Sequence, residues 1–185
     1  MGWLLNSTST RGPRLKTVGT IVDNLRREHI RLSQMQDIAG VRVVGELSLA
    51  EQDALVAAIS AAFEGAKVVD RREKPSHGYR AMHVIVVIDA RNVEIQVRTE
   101  LQHLWAQYFE LLADRFGRGI RYGQPPDNPD LIIAGEYTMS YLVETLLNSS
   151  STIARVEETD HPAREAWRDE LRKGVALFSM GESEA

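Results

Sequence analysis

The chain has 185 residues, of which 43% are hydrophobic, and its formal net charge is −4. This size fits one domain with an appendage, and the negative charge argues against a protein that coats nucleic acid nonspecifically. The sequence has no cysteine, which excludes disulfides, thiolate metal sites and a cysteine nucleophile. No apolar run is long enough for a signal peptide or a membrane span, so we expect a cytoplasmic protein.

The charges are unevenly distributed along the chain. Basic residues outnumber acidic residues from Arg11 to Arg31 and again from Lys67 to Arg80, whereas the segment after Glu157 is acidic. Phosphate-bearing ligands are therefore expected near the first two segments rather than near the carboxy-terminal tail. The alternative for such clusters is an ordinary solvated helix face.

In chain order, the first elements predicted are a turn, a helix, a strand and a second helix. Residues Asn6–Pro13 are rich in turn formers, and apolar residues at helical spacing then predict a helix over about Thr17–His29. The apolar run Val41–Val44 stands between two glycines and predicts a short buried strand. A capping box over Ser48–Glu51 predicts an amphipathic helix that ends near Gly65.

The middle of the chain predicts three strands followed by a helix. Lys67–Arg71 and Ala81–Asp89 are predicted strands, and the second is apolar enough to be covered on both faces. After a turn at Ala90–Asn92, the segment Val93–Arg98 alternates strictly between apolar and polar residues, which indicates a strand with one buried face. A second capping box over Thr99–Gln102 predicts the start of the next helix.

The carboxy-terminal part predicts a loop and two more helices. The loop is the proline-rich segment Gly117–Asp130, whose glycine should end the preceding helix, and the helices begin near Leu131 and Pro162. We therefore predict an α+β fold, in which a mixed sheet of about four to five strands is flanked by helices. Residues 1–123 are predicted to form the core, and residues 124–185 a helical extension of the same compact unit.

Three polar side chains share one face of the alternating strand. Glu94 can hold a metal ion or accept a proton, Gln96 can recognise the edge of a ligand, and Arg98 can bind phosphate or brace a carboxylate. This arrangement makes the strand a candidate site. The alternative is a structural sheet with one solvated face.

A second candidate group follows Gly78. Tyr79 and His83 share a face if this segment is extended, and a tyrosine at the mouth of a strand can stack on a nucleobase. The alternative is that Tyr79 caps the core and that His83 is a hydrogen-bonded core histidine.

Two further groups stand near the amino end of the chain. Asp37 comes shortly before the first predicted strand, where an acid is often only a turn former. Arg14, Lys16 and Thr20 place two cations and a hydroxyl near the start of the first predicted helix, where phosphate binds favourably. The glycines of a P-loop are missing there, and the histidines are too scattered in the sequence for a zinc cluster.

The region from Arg14 to about Tyr122 carries, in this order, the segments RxKxxxT, QDIAGVRVV, GYRAMHV and VEIQVRTELQHLWAQ. In this order they resemble the alarmone synthetase domain of the RelA/SpoT family, particularly its small single-domain members. The resemblance implies a nucleotidyltransferase fold of the polymerase-β type. It also implies an enzyme that uses Mg²⁺ to transfer the β,γ-diphosphate of ATP to the 3′-hydroxyl of GDP or GTP, which produces the alarmone (p)ppGpp.

The resemblance also assigns roles to individual residues. Asp37 and Glu94 correspond to two metal-binding carboxylates, and Glu94 also to a group that helps to deprotonate the acceptor hydroxyl. Tyr79 corresponds to the residue that stacks on the acceptor base. The remaining residues are assigned to ATP binding (Arg14, Lys16 and Thr20) and to acceptor binding (His83, Gln96, Lys74 and Arg98).

Two alternative functions stay open at this point. A toxin-type relative would keep the chemistry but modify adenine nucleotides or the 3′ end of tRNA, although the acidic net charge does not favour tRNA. A catalytically degenerate nucleotide-binding module is the other alternative. It is motivated by Asn24, where the family often has lysine, and by the few residues before Arg14. The carboxy-terminal helices are candidates for contacts between copies in a homo-oligomer.

Overall fold

The computed structural model of the chain describes residues 10–15, 39–133 and 135–179. Within this part, a five-stranded sheet has the order β1-β2-β5-β4-β3. Strands β2 and β5 are parallel and the other neighbouring pairs are antiparallel, so the sheet is mixed, as predicted. Its strands are Thr10–Leu15 (β1), Ala39–Gly45 (β2), Lys67–Asp70 (β3), Met82–Ile88 (β4) and Arg91–Thr99 (β5).

The described part of the chain also contains helices and a second, smaller sheet. A short 3₁₀ helix spans Arg118–Tyr122, and two short strands, Ile132–Ile133 (β6) and Tyr137–Thr138 (β7), pair separately. Within the described part of the chain, no helix combines the length and the apolar character needed to cross a membrane. The described α-helices are Leu49–Ala62 (α1), Glu100–Phe116 (α2), Met139–Glu158 (α3) and Arg164–Ser179 (α4).

The predicted start of helix α1 and the predicted end of helix α2 are confirmed. The Glu51 N–H donates to Ser48 Oγ at 3.2 Å, and the Ser48 N–H donates to Glu51 Oε2 at 2.8 Å, which completes the capping box of α1. Helix α2 ends before Gly117, whose φ is 128°. The Gly117 N–H donates to the Ala113 carbonyl at 3.1 Å, so one of the open carbonyls at the helix end is satisfied.

Two predicted elements are wrong, and one lies outside the described residues. The described part of the predicted turn Asn6–Pro13, residues 10–13, is instead part of β1, because an edge strand hydrogen-bonds on one side only and so tolerates proline. The helix predicted from Leu131 begins at Met139, after β-branched residues that favour strand β6. The Thr138 hydroxyl accepts the Tyr141 N–H at 3.2 Å and caps this helix. The predicted helix Thr17–His29 lies outside the described residues.

The described residues divide into two compact units. The first unit contains the sheet and α1, and includes Ala81–Thr99. The second unit contains Arg72–Arg80 and the described residues from Glu100 onwards. The predicted boundary after residue 123 is a different division of the chain and stays a prediction.

The core of the first unit is formed by α1 and by strands β4 and β5. The Gln52 side chain of α1 is buried and donates to the Val97 carbonyl at 2.9 Å. This packing holds β5 by its apolar face, so the polar residues of β5 project from the opposite face. The buried apolar residues of this core are Val56, Met82, Val84, Val86 and Val97.

The core of the second unit is formed by α2, α3 and α4. The Trp105 and Phe109 rings stack with centroids 5.0 Å apart, and Trp105 Nε1 donates to the Leu146 carbonyl at 2.9 Å. Tyr108 stacks on Phe178 with centroids 5.8 Å apart, and burial raises the pKa of the Tyr108 phenol. The aromatic residues of α2 therefore support the helical packing of this unit.

The turn between β4 and β5 sets the register of these strands. The predicted turn at Ala90–Asn92 lies one residue too far along, because strand β5 already begins at Arg91. The central residues are Asp89 and Ala90, with φ values of 49° and 60°. Two positive φ values are typical of the type I′ turn, whose twist matches that of antiparallel strands. Alanine adopts this conformation at a steric cost.

We predict that Ala90→Gly raises the free energy of unfolding by about 0.5–1 kcal/mol, because glycine removes the Cβ clash at positive φ. The same change at Ala58, on the exposed face of α1, should lower it by about 1 kcal/mol. Urea denaturation of both variants measures these differences. A loss of stability for Ala90→Gly as large as that for Ala58→Gly would contradict a strained turn.

Candidate active site

Four side chains of β4 and β5 form one continuous set of hydrogen bonds, which we call the polar chain: His83, Glu94, Gln96 and Arg98. His83 Nδ1 lies 2.7 Å from Glu94 Oε1. Gln96 Nε2 donates to Glu94 Oε2 at 2.7 Å. Arg98 Nη2 donates to Gln96 Oε1 at 3.1 Å. The three polar residues predicted on one strand face thus form a single network with a histidine of the neighbouring strand.

The register of the sheet explains why these residues meet. His83 lies directly opposite Gln96 in the antiparallel pair, and Glu94 is one step further along the same face of β5. Arg42 of β2 lies opposite Gln96 on the other side. Arg42 is not recognisable as a site residue from the sequence, because only the pairing of β2 with β5 places its position beside the polar chain.

Burial increases along the polar chain. The side chains of His83 and Glu94 are each 12% exposed, whereas Gln96 is 5% exposed and Arg98 1% exposed. A solute therefore reaches the carboxylate and the imidazole more readily than it reaches the amide or the guanidinium. The polar chain therefore has an accessible acidic end, at Glu94, and a buried basic end, at Arg98.

The accessible end has the groups needed for proton transfer. Because an ionised carboxylate only accepts hydrogen bonds, the contact makes His83 Nδ1 the donor and leaves Nε2 of a neutral imidazole as an acceptor. His83 contacts Oε1 of Glu94 and Gln96 contacts Oε2, and a carboxylate oxygen can accept more than one hydrogen bond. The carboxylate can therefore accept a proton from a substrate hydroxyl or contribute an oxygen ligand to a cation.

The described part of the predicted metal site is one carboxylate. Glu94 fits Mg²⁺, which in proteins often uses one or two carboxylates together with water and substrate phosphates. Asp37, Lys16 and Thr20 lie outside the described residues. Across residues 10–15, 39–133 and 135–179, no three acidic or histidine side chains are grouped so that they could hold a metal ion.

The backbone of Arg14 lies in the same row of the sheet as Glu94. Arg14 pairs with Gly40 of β2, and Gly40 pairs with Glu94. A Cβ at Gly40 would lie 3.0 Å from the Glu94 carbonyl oxygen. This glycine therefore allows β2 to approach β5 closely beside the candidate carboxylate.

The predicted acceptor-binding residues Tyr79 and Lys74 lie in the loop Arg72–Arg80 of the second unit. Tyr79 is half-buried and packs against the core of that unit, and its N–H donates to the Ser76 carbonyl at 3.0 Å. Lys74 is exposed. The structure thus brings four of the predicted site residues together in the first unit and places these two in the second.

Gly78 fixes the conformation of this loop. Its φ is 80°, and a Cβ there would lie 2.8 Å from the Trp105 ring. Ser150 Oγ donates to the Gly78 carbonyl at 2.5 Å and accepts from Arg80 Nε at 3.2 Å. The residues on both sides of Tyr79 therefore contact the helices of the second unit.

Comparison with known proteins identifies the family. A sequence model described as the region found in RelA / SpoT proteins matches residues 13–110, which is more than half of the chain. Uncharacterized proteins of Mycobacterium tuberculosis (strain ATCC 25618 / H37Rv) and Mycobacterium bovis are each 46% identical over 117 residues, or 62% of this chain. The chain spans 43% of the length of these curated relatives.

Solved structures show the same fold. Small alarmone synthetase 2 of Bacillus subtilis is 21% identical, with a TM-score of 0.57, and the match covers 85% of this chain and 80% of that one. A GTP pyrophosphokinase family protein of Streptococcus pneumoniae is 20% identical, with a TM-score of 0.56, covering 90% of this chain and 78% of that one. These likenesses confirm the predicted α+β nucleotidyltransferase fold. By the match over residues 13–110, the chain belongs to the RelA/SpoT family.

Proposed function

We propose that the protein is an ATP-dependent pyrophosphokinase that transfers the β,γ-diphosphate of ATP to the 3′-hydroxyl of GDP or GTP. The observation that carries this proposal is the Glu94 carboxylate, held between His83 and Gln96 at the accessible end of the polar chain. Membership of the RelA/SpoT family supports it. The similar S. pneumoniae protein is described as a GTP pyrophosphokinase family protein, which is the same reaction class.

In the proposed reaction, the acceptor 3′-oxygen attacks the β-phosphorus of ATP. The bond between the β-phosphorus and the oxygen that bridges it to the α-phosphorus breaks, and AMP leaves with that oxygen. The proton of the hydroxyl passes to Glu94, which lies at the accessible end of the polar chain. Such reactions need alignment of the two oxygens and neutralisation of charge, with little covalent chemistry from the protein.

The proposed metal ligands are Glu94 and Asp37. Mg²⁺ held there would neutralise phosphate charge. Asp37 stands three residues before Gly40 in the sequence, and Gly40 pairs with Glu94. Three residues of chain span at most roughly 11 Å, so connectivity is compatible with a shared cation.

The remaining residue roles follow the family resemblance. We propose that Arg14, Lys16 and Thr20 bind the phosphates of ATP, for which cations and hydroxyls are suitable donors. We propose that Tyr79 stacks on the acceptor base and that Lys74 also contacts the acceptor. The cytoplasm, as the location, and a homo-oligomer formed through α3 and α4 stay predictions.

Incubation with ATP labelled at the γ-phosphate and with each acceptor in turn tests the reaction. We expect label in products of GDP or GTP only when Mg²⁺ is present. Transfer to adenine nucleotides or tRNA but not to GDP or GTP would assign the toxin-type chemistry instead. Binding of GDP without any labelled product would identify a degenerate nucleotide-binding module.

Glu94→Gln should lower kcat by roughly 10²–10⁴-fold, the usual contribution of a positioned general base. The amide oxygen can still accept from Gln96, so the melting temperature should change little. Rates at saturating ATP and acceptor measure the effect, and Glu64→Gln, an exposed site in the same unit, is the matched control. A Glu94→Gln enzyme as fast as the control would remove this carboxylate from the mechanism.

Substitutions of Tyr79 separate stacking from packing. Tyr79→Leu keeps an apolar side chain against the core but should weaken acceptor binding by ~1–3 kcal/mol, because the ring is lost. Tyr79→Phe keeps the ring and should retain the acceptor KM. Steady-state kinetics with each substrate varied in turn measures both changes, and the KM for ATP should be unaffected. Equal acceptor KM values for the Leu and Phe variants would indicate a purely structural tyrosine.

A further inference from the structure

We propose that Gln96 and Arg98 are positioning residues that act in series on Glu94: Gln96 holds the carboxylate and Arg98 holds Gln96. The inference rests on the proposed function insofar as Glu94 is the reacting group. It differs from the role that the family resemblance implies, in which both side chains contact the acceptor nucleotide.

The polarity of the hydrogen bonds supports this order. The guanidinium of Arg98 has only donors, and the ionised carboxylate of Glu94 has only acceptors. The Gln96 amide between them accepts at Oε1 from Arg98 at 3.1 Å and donates from Nε2 to Glu94 at 2.7 Å. A reversed amide would face donor with donor and acceptor with acceptor. The two charged groups therefore fix the amide, and the amide fixes Oε2 of Glu94.

Both positioning residues are held in place by their surroundings. Arg98 is 1% exposed and Gln96 is 5% exposed. Val97, between them on β5, is fully buried, and its carbonyl accepts from the Gln52 side chain of α1 at 2.9 Å. The strand backbone therefore cannot shift without breaking the core of the first unit. A buried guanidinium is costly unless its donors are hydrogen-bonded, and the contact with Gln96 satisfies one of them.

The carboxylate gains orientation from this arrangement. The terminal torsion of a glutamate side chain is otherwise broad. Here His83 contacts one oxygen of Glu94 and Gln96 contacts the other, so the plane of the carboxylate is defined. A misplacement of about 1 Å in a reacting group can cost roughly 10²-fold in rate. The hydrogen bonds of Gln96 and Arg98 are therefore expected to act on kcat.

A kinetic cycle tests the order of the chain. Gln96→Met and Arg98→Met, which keep similar length without polar atoms, should each lower kcat roughly 10- to 100-fold. The acceptor KM should change less than about threefold, because neither side chain contacts that substrate. The double variant should be no slower than the slower single variant, since the two residues act through one path. Arg98→Lys should recover part of the rate by restoring a donor.

Arg91→Met, at the exposed start of the same strand, is the matched control and should behave like the wild type. Losses that multiply in the double variant would overturn a path in series. A raised acceptor KM with unchanged kcat would assign direct contact with the nucleotide. If kcat falls only in proportion to the loss of folded protein, Gln96 and Arg98 have a structural role and the positioning proposal is wrong. If Arg98→Met does not fold, Gln96→Met and Arg98→Lys carry the test.

Nuclear magnetic resonance of the Gln96 side-chain amide provides a second test that needs no activity. Its proton signals are assigned by their loss in Gln96→Met, and they should exchange slowly with water in the wild type. Arg98→Met should accelerate this exchange. An unchanged exchange rate would refute the proposal that Arg98 holds Gln96. If the wild type transfers no diphosphate but Arg98→Met accelerates the exchange, the proposed function fails while the proposal that Arg98 holds Gln96 stands.

Discussion

The candidate site depends on one constraint, which is that the Glu94 carboxylate is held at both oxygens. His83 reaches it from the neighbouring antiparallel strand, and Gln96 reaches it from two residues along the same strand. The His83 contact would not exist if β4 and β5 paired one residue differently, because a shift of one residue would turn His83 to the opposite face from Glu94. The site is therefore a consequence of the sheet register.

Packing on the opposite face decides which way the side chains of β5 project. The valines of β4 and β5 pack on α1, and the alternation of side chains then directs Glu94, Gln96 and Arg98 away from this core. Functional groups carried by a packed strand are located more accurately than groups on a loop. The packed sheet therefore carries the proposed reacting carboxylate, and the loop around Gly78 carries the proposed base-stacking ring.

The sequence predicted which side chains share a strand face, but not which residues of neighbouring strands contact them. Strict alternation in Val93–Arg98 was enough to predict that Glu94 and Gln96 share a face, because the period of a strand is fixed. The contact of His83 with Glu94 depends on a turn in which Asp89 and Ala90 both have positive φ. Alanine rarely adopts this conformation, so the register could not be read from the pattern. The helix wrongly predicted from Leu131 illustrates the same limit, since a short apolar run is compatible with strand and helix alike.

A structure of the protein with GDP, Mg²⁺ and a nonhydrolysable ATP analogue is the most direct test of the account. If Glu94 is the general base, the 3′-oxygen of GDP should lie within about 2.6–3.2 Å of a Glu94 oxygen in this structure. We also expect Gln96 to keep its contacts with Glu94 and Arg98 in the complex. A 3′-oxygen bound far from Glu94, with the β-phosphorus of the analogue aligned on another group, would contradict the assignment of this carboxylate as the centre of the reaction.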